Sequence, residues 1–136
     1  MIVRLVGSEM CIRDRTQPVL GICVGMQILF NSSEEQNCKC LGLINDDIKK
    51  FNLPNDKAVP HMGWNKVIFE SEQLLSNYYY FANSYYAPIT KDTTGICEYG
   101  IEFSATVQKD NFFGCQFHPE KSSNSGIKFI QNFLNY

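Results

Sequence analysis

Two short stretches carry residue types able to do covalent chemistry together. In "PVLGICVGMQILF", residues 18–30, Cys23 has Gly21 two positions before it and Gly25 two positions after it. A nucleophile at a sharp strand-to-helix turn is exposed, and bulky neighbours on either side would collide there. Glycines at both flanks suit such a turn, which is the G-x-S-x-G elbow with a thiol replacing the hydroxyl. The geometry would aim the positive end of the following helix at Cys23, favouring thiolate, and turn the Val24 backbone N–H towards a developing oxyanion. Taken alone, these residues fit equally well a small buried cysteine beside two turn glycines.

The second stretch is "QFHPEKS", residues 116–122. Pro119 biases His118 towards extended backbone, where residues i and i+2 project to one side. His118 and Glu120 then share a face. The carboxylate can take a hydrogen bond from one ring nitrogen and fix the tautomer, while the other nitrogen faces Cys23 as a base. The alternative, a loop histidine with a solvated glutamate, loses weight once the cysteine elbow stands upstream.

The elements around these stretches must bring them together. "VLGI" is an apolar run suited to a buried parallel strand, and "VGMQILF" continues it as a helix that Asn31-Ser32-Ser33 could end. Residues 41–57 read as a loop with short strands, closed by the turn-prone "LPND". "KVIF" predicts a strand, "ESEQLL" a short helix, and "YYYFANSYYAP" one aromatic strand ended by Pro88. Between residues 97 and 119 the alternation predicts two strands around a Lys109-Asp110-Asn111 turn. The final segment places Ile127, Ile130 and Leu134 on one helical face, with Phe133 beside them, to dock on the sheet.

With 136 residues, 44% hydrophobic and a formal net charge of −2, the chain has the bulk of one globular domain. That charge offers no electrostatic signature for nucleic acid or an anionic membrane, and no apolar run nears the ~20 residues needed to cross a bilayer. The opening "MIVRLVGSEMCIRDR" fits neither a signal peptide nor a spanning helix. The six cysteines form no dense disulfide framework, which points to reduced thiols in the cytoplasm. With only His61 and His118 as histidines and Cys38/Cys40 as a C-x-C pair, the usual zinc spacings are missing.

"GICVGMQ" and "QFHPEKS" resemble the class I (triad) glutamine amidotransferases, whose Cys-His-Glu triad hydrolyses glutamine to glutamate and ammonia. Within that family "VPHMGWNKV", residues 59–67, resembles the glutaminase subunits of imidazole glycerol phosphate synthase, in histidine biosynthesis. The resemblance covers essentially all of residues 17–136. It implies an α/β, flavodoxin-like three-layer domain in which Cys23 attacks the side-chain amide of L-glutamine, His118 shuttles the proton and Glu120 orients it. By the same resemblance Gln27 and Glu35 hold glutamine, and Ser84 and Tyr85 line its pocket. A carboxylate at position 35 suits the substrate's α-ammonium, which a neutral pocket would desolvate at a cost. The resemblance also implies that ammonia passes to a barrel-shaped cyclase subunit, with His61, Met62, Trp64, Asn65, Tyr80 and Lys121 near the contact. Without it, Glu34 and Glu35 read as a solvated helix end, and Trp64 as either core or interface. No cofactor is implied, since thiolate, imidazole and backbone donors suffice for amide hydrolysis.

Two departures stand out. The family carries more chain before its elbow, including a glycine-rich strand that supplies a second oxyanion donor; too little precedes Gly21 here for a β-α-β unit of ~30 residues. Residues 1–16 therefore read as a non-family extension, with "GSEMCIRDR" resembling adapter or assembly sequence, and residues 17–136 as the C-terminal two-thirds of the domain. An inactive fragment is one alternative that follows. The other departure is Asn83, where the related subunits carry histidine; asparagine keeps hydrogen-bonding capacity but does not titrate. That difference leaves open a sister amidotransferase feeding a sugar-modifying synthase.

Overall fold

The computed structural model describes residues 16–54, 57–71 and 76–136. The elements run β1 (Val19–Ile22), α1 (Val24–Gln27), β2 (Phe30–Ser33), β3 (Cys38–Lys39), β4 (Ile44–Lys50), β5 (His61–Phe69), β6 (Asn77–Asn83), β7 (Tyr85–Tyr86), β8 (Thr93–Glu98), β9 (Glu102–Lys109), β10 (Phe112–Cys115) and α2 (Ser123–Leu134). They form a six-stranded sheet in the order β1-β10-β9-β8-β5-β6 and a four-stranded sheet in the order β3-β2-β4-β7. The class is mixed α/β, with strands dominating among the described residues.

The pairing that matters for chemistry is the parallel one between β1 and β10, in which Ile22 stands opposite Cys115. It brings two segments far apart in sequence out of the same end of the sheet. Among the described residues β1 has a partner on one side only, and its end at Ile22 is 37% exposed. The hairpin across Lys109-Asp110-Asn111 forms as expected, with Phe112 opposite Lys109 and Asp110 at φ 53 in the turn.

Elsewhere the elements differ from their sequence reading for identifiable reasons. The aromatic stretch is two strands, because the chain leaves the large sheet at Ser84 and β7 joins β4 in the small one. Residues 44–50 make one seven-residue strand, with Ile44 and Ile48 fully buried at a spacing of four. Asn55 and Asp56 of the "LPND" turn, and residues 72–75 of the "ESEQLL" helix, lie outside the described residues.

Two apolar clusters hold the sheets. One is rich in aromatics, with Tyr79, Phe81, Phe103, Phe117 and Phe129 around Phe51 and Val67. Tyr79 stacks on Phe117 at 4.2 Å, and Phe117 meets Phe129 of α2 edge-on at 5.0 Å. The other gathers Met26, Leu29, Phe30, Leu41, Ile44 and Ile48 beneath α1. α2 docks through Gly126 and Phe129, with Ile130 and Phe133 half-buried, and not through the Ile127/Leu134 stripe, whose members are 56% and 71% exposed. Gly126 decides the rotation: a Cβ there would run into the Pro119 carbonyl, so its bare face sets the closest approach of the helix.

Candidate active site

At the end of β1 the backbone turns through Cys23 with φ 56 and ψ −109. Few non-glycine residues adopt that conformation, which costs about 1–3 kcal/mol and persists only where the surroundings enforce it. The enforcement is visible on both sides. The Cys23 N–H donates to the Cys115 carbonyl at 2.7 Å, extending the β1-β10 ladder, and its own carbonyl accepts from the N–H groups of Met26 and Gln27 at 3.1 and 3.2 Å. Gly21 lies so close to the turn that a Cβ would run into the Gly25 carbonyl and sit 2.9 Å from Met26 N. A Cβ at Gly25, in contrast, would meet open space, so only the first of the two flanking glycines is sterically required.

The helix after the elbow is one turn long rather than continuing to Phe30. Beyond it the Ile28 and Leu29 carbonyls accept from the N–H groups of Leu41, Leu43 and Ile44, so the chain pairs with that segment and enters β2. So short a helix has little dipole to offer. Burial pushes the Cys23 thiol up, outweighing the Val24 N–H and the Gln116 amide, and the carboxylates of Glu120 and Glu35 push it further. The balance runs against the thiolate that the elbow is expected to favour.

Beyond β10 the chain continues through Gln116 and Phe117 to His118, whose φ −99 and ψ 100 are extended as a residue before proline should be. His118 Nδ1 lies 2.9 Å from Glu120 Oε2. The pair forms by a different route from the one expected: Pro119–Lys121 is a 3-10 turn, which swings the carboxylate back under the ring. An ionised carboxylate only accepts, so Nδ1 carries the proton and Nε2 is left as the basic nitrogen. Partial burial raises the Glu120 carboxyl, but its own backbone N–H, the His118 ring and Lys121 outweigh that and hold it below its ordinary value.

This turn is fastened at several points. The His118 N–H donates to the Tyr80 carbonyl at 2.8 Å, tying the turn to β6. Ser122, fully buried, donates its Oγ hydrogen to the His118 carbonyl at 2.7 Å and accepts from the Tyr80 N–H at 2.9 Å. Gly126 of α2 seats against the Pro119 carbonyl. Sequence reasoning assigns no part to Ser122 or Gly126. The signal for Ser122 lies in "QFHPEKS", where a small hydroxyl residue closes a tight turn and can reach back to its carbonyls.

The residues grouped with glutamine fall around the same end of the sheet. Glu35 is half-buried, its N–H donates to Ser33 Oγ at 3.1 Å, and its carboxylate acts electrostatically on Cys23. Gln27 is 6% exposed, and its Nε2 is already committed to the Tyr85 carbonyl at 3.0 Å and Gln116 Oε1 at 2.9 Å. Ser84 and Tyr85 are half-buried; the Ser84 carbonyl accepts from the Phe51 N–H, and the Tyr85 side chain packs towards the Met26 cluster. Gln116, with no exposed surface, places its Nε2 3.6 Å from Cys23 Sγ. In the sequence it is only one more letter of the histidine motif.

The residues grouped with a partner divide by strand alternation. Met62 and Trp64 stand out from β5, 63% and 51% exposed, with the Tyr80 ring edge-on to Trp64 at 6.1 Å and Lys121 exposed on the adjoining turn. Trp64 is thus a surface residue and not core. His61 points the other way: it is buried, stacked between Phe81 at 4.9 Å and Tyr99 at 3.9 Å, so its side chain lies behind that surface. Asn65 also turns inward, donating Nδ2 to the Glu98 carbonyl at 2.9 Å and lying 3.3 Å from His61 Nε2. Burial lowers the His61 pKa to about 4, so the ring is neutral. Asn83, opposite His61 in the β5-β6 ladder, donates Nδ2 to the Tyr85 carbonyl at 3.0 Å. Among the described residues His61 Nδ1 and Asn83 Oδ1 are buried without a hydrogen-bond partner.

Comparison with known proteins bears on this arrangement. The family model for glutamine amidotransferase class-I matches residues 6–135. The imidazole glycerol phosphate synthase subunit HisH of Bacteroides fragilis (strain YCH46) is 42% identical over 134 residues, covering 94% of this chain and 68% of the relative. The subunit of the same name from Escherichia coli (strain K12) is 47% identical over 133 residues, covering 90% of this chain and 66% of the relative. A solved glutamine amidotransferase superposes with a TM-score of 0.66 at 14% identity, over 94% of this chain and 65% of that one. A putative GMP synthase protein from Thermoplasma acidophilum gives 0.62 at 18%, over 94% and 61%. The chain spans about two thirds of the length of the relatives it matches.

Proposed function

The chain belongs to the class-I glutamine amidotransferases, and from that premise we propose that it is a glutaminase subunit that hydrolyses L-glutamine and hands ammonia to a cyclase subunit forming imidazole glycerol phosphate. The observation that carries the proposal is the parallel β1-β10 pair, which sends a strained cysteine turn and a carboxylate-held histidine out of the same end of one sheet. The likeness to the two HisH subunits supports the choice of reaction and partner.

In this reading His118 Nε2 takes the Cys23 proton as the sulfur attacks the glutamine amide carbon, forming a C–S bond and a tetrahedral oxyanion. The resting thiol and a basic imidazole then move the proton within the pair, so a standing thiolate is not needed. The Val24 N–H is the oxyanion donor this chain supplies. Collapse expels ammonia, protonated by His118, and leaves a γ-glutamyl thioester; water, deprotonated by the same nitrogen, releases glutamate and the free thiol. Glu120 keeps the proton on Nδ1 throughout. Glu35 receives the substrate's α-ammonium. Gln27, with its amide nitrogen committed, shapes the pocket floor, and Ser84 and Tyr85 flank it. Met62, Trp64, Tyr80 and Lys121 form the surface that meets the cyclase, with His61 and Asn65 supporting it from behind.

Ammonia release from L-glutamine, measured with and without added cyclase, tests this. Turnover that rises when the cyclase is present and disappears in Cys23→Ala, with cyclase binding retained, is expected. Turnover that survives in Cys23→Ala contradicts the assignment.

A further inference from the structure

A file of side-chain amides ends on the Cys23 sulfur, and its direction is set at the far end. It begins at the Tyr85 carbonyl, a backbone oxygen that can only accept. Gln27 donates Nε2 to it at 3.0 Å, which fixes which end of the Gln27 amide faces which way. The same nitrogen donates its second hydrogen to Gln116 Oε1 at 2.9 Å. The Gln116 oxygen is thereby held towards Gln27, and its Nε2 is left facing Cys23 Sγ at 3.6 Å. Turning the Gln116 amide over would set two NH2 groups against each other and an oxygen against the sulfur. With Gln116 fully buried and Gln27 nearly so, water cannot repair either clash.

We propose that Gln116 is a positioning residue for the nucleophile: its side-chain N–H steers the Cys23 sulfur into the site and stabilises the thiolate as it forms, with Gln27 and the Tyr85 carbonyl fixing the direction of that N–H. The inference rests on the glutaminase reading for its meaning, and its test reads the sulfur directly. Besides His118, the base of the glutaminase reading, the titratable groups that act on Cys23 from neighbouring elements are Glu120 on the histidine turn, Glu35 after β2 and Cys115 on β10. The carboxylates oppose thiolate, whereas the Gln116 amide and the Val24 N–H favour it. A donor hydrogen bond to a charged acceptor is strong enough to alter reactivity tenfold or more.

The experiment follows iodoacetamide labelling of Cys23 in the full chain against pH, with mass spectrometry resolving the Cys23 peptide, Cys38 as internal reference and the thermal midpoint recorded alongside. Gln116→Leu should move the Cys23 labelling profile up by about one pH unit, seen as about tenfold slower labelling at neutral pH, with Cys38 unchanged. Gln27→Leu should move it the same way by less. Gln116→Glu keeps an oxygen for Gln27 and turns another towards the sulfur, so labelling should be slower still; this variant decides the matter if the leucine variant does not fold. Profiles that superpose on the parent overturn the proposal, and so does loss of fold in both Gln116 variants, which would make the amide a prop for the core. Shifted profiles in a chain without glutamine turnover would leave this inference standing and remove the glutaminase reading. Unshifted profiles with normal turnover would do the reverse.

Discussion

The two arms of the site are held in opposite ways. The cysteine arm is a short strand and a one-turn helix, kept in a strained conformation by steric fit, with Gly21 against the Gly25 carbonyl as the tight point. The histidine arm has no left-handed residue from His118 to Ser122 and is held by hydrogen bonds to Tyr80 and Ser122 over an aromatic core. The difference teaches how each would fail. A strained turn is lost when one atom is added, whereas a redundantly bonded turn loosens as bonds are removed one at a time.

Breaking the first arm should have the largest effect. Gly21→Ala drives a methyl group into backbone that cannot move without unwinding the elbow, so it should cost about 3 kcal/mol or more in chemical denaturation and abolish glutamine turnover. Acid should loosen the second arm next. His61 lies in the aromatic core with its pKa lowered to about 4, against about 6.5 for the unfolded chain. Its contribution is complete above about pH 6.5 and is lost as the pH falls towards 4, a decline of about 2–3 kcal/mol that a urea-denaturation series across that range would record. Replacing His61 by phenylalanine should flatten the decline.

Ser122→Ala strands the Tyr80 N–H and takes one of two donors from the His118 carbonyl, which keeps the Lys121 N–H, so about 1–2 kcal/mol of stability should go, with a fall in kcat larger than any change in KM. Gly25→Ala sharpens the contrast from the other side: its Cβ meets nothing, so the thermal midpoint should move by the equivalent of about 0.5 kcal/mol or less, despite a place in the motif symmetrical with Gly21.

How much of this could be read from the sequence follows from what kind of force is at work. Local signals carried well: the sharp turn at Cys23 with a required glycine at position 21, the bias of Pro119 on His118 and the Asp110 turn each depend on a few adjacent residues and are found, whereas the glycine expected to be needed at position 25 is not. Long-range competition did not. The helix from Val24 stops early where the chain pairs with residues 41–44, and nothing within residues 24–30 announces that partner. The docking face of α2 follows Gly126 and Phe129 because a carbonyl of the histidine turn needs room, which the apolar periodicity alone does not encode. His61 and Met62 are neighbours in one motif, yet strand alternation buries one and exposes the other. Gln116 was the least legible, since its two partners stand 89 and 93 positions away.

The central claim is that the strained cysteine and the carboxylate-held histidine act on one glutamine. Labelling with a glutamine-shaped diazoketone, followed by peptide mass spectrometry, tests it most directly. One adduct is expected, on Cys23, suppressed by excess glutamine and formed at least tenfold more slowly in His118→Ala, as befits loss of a general base. An adduct on another residue, or equal rates with and without the imidazole, would contradict it.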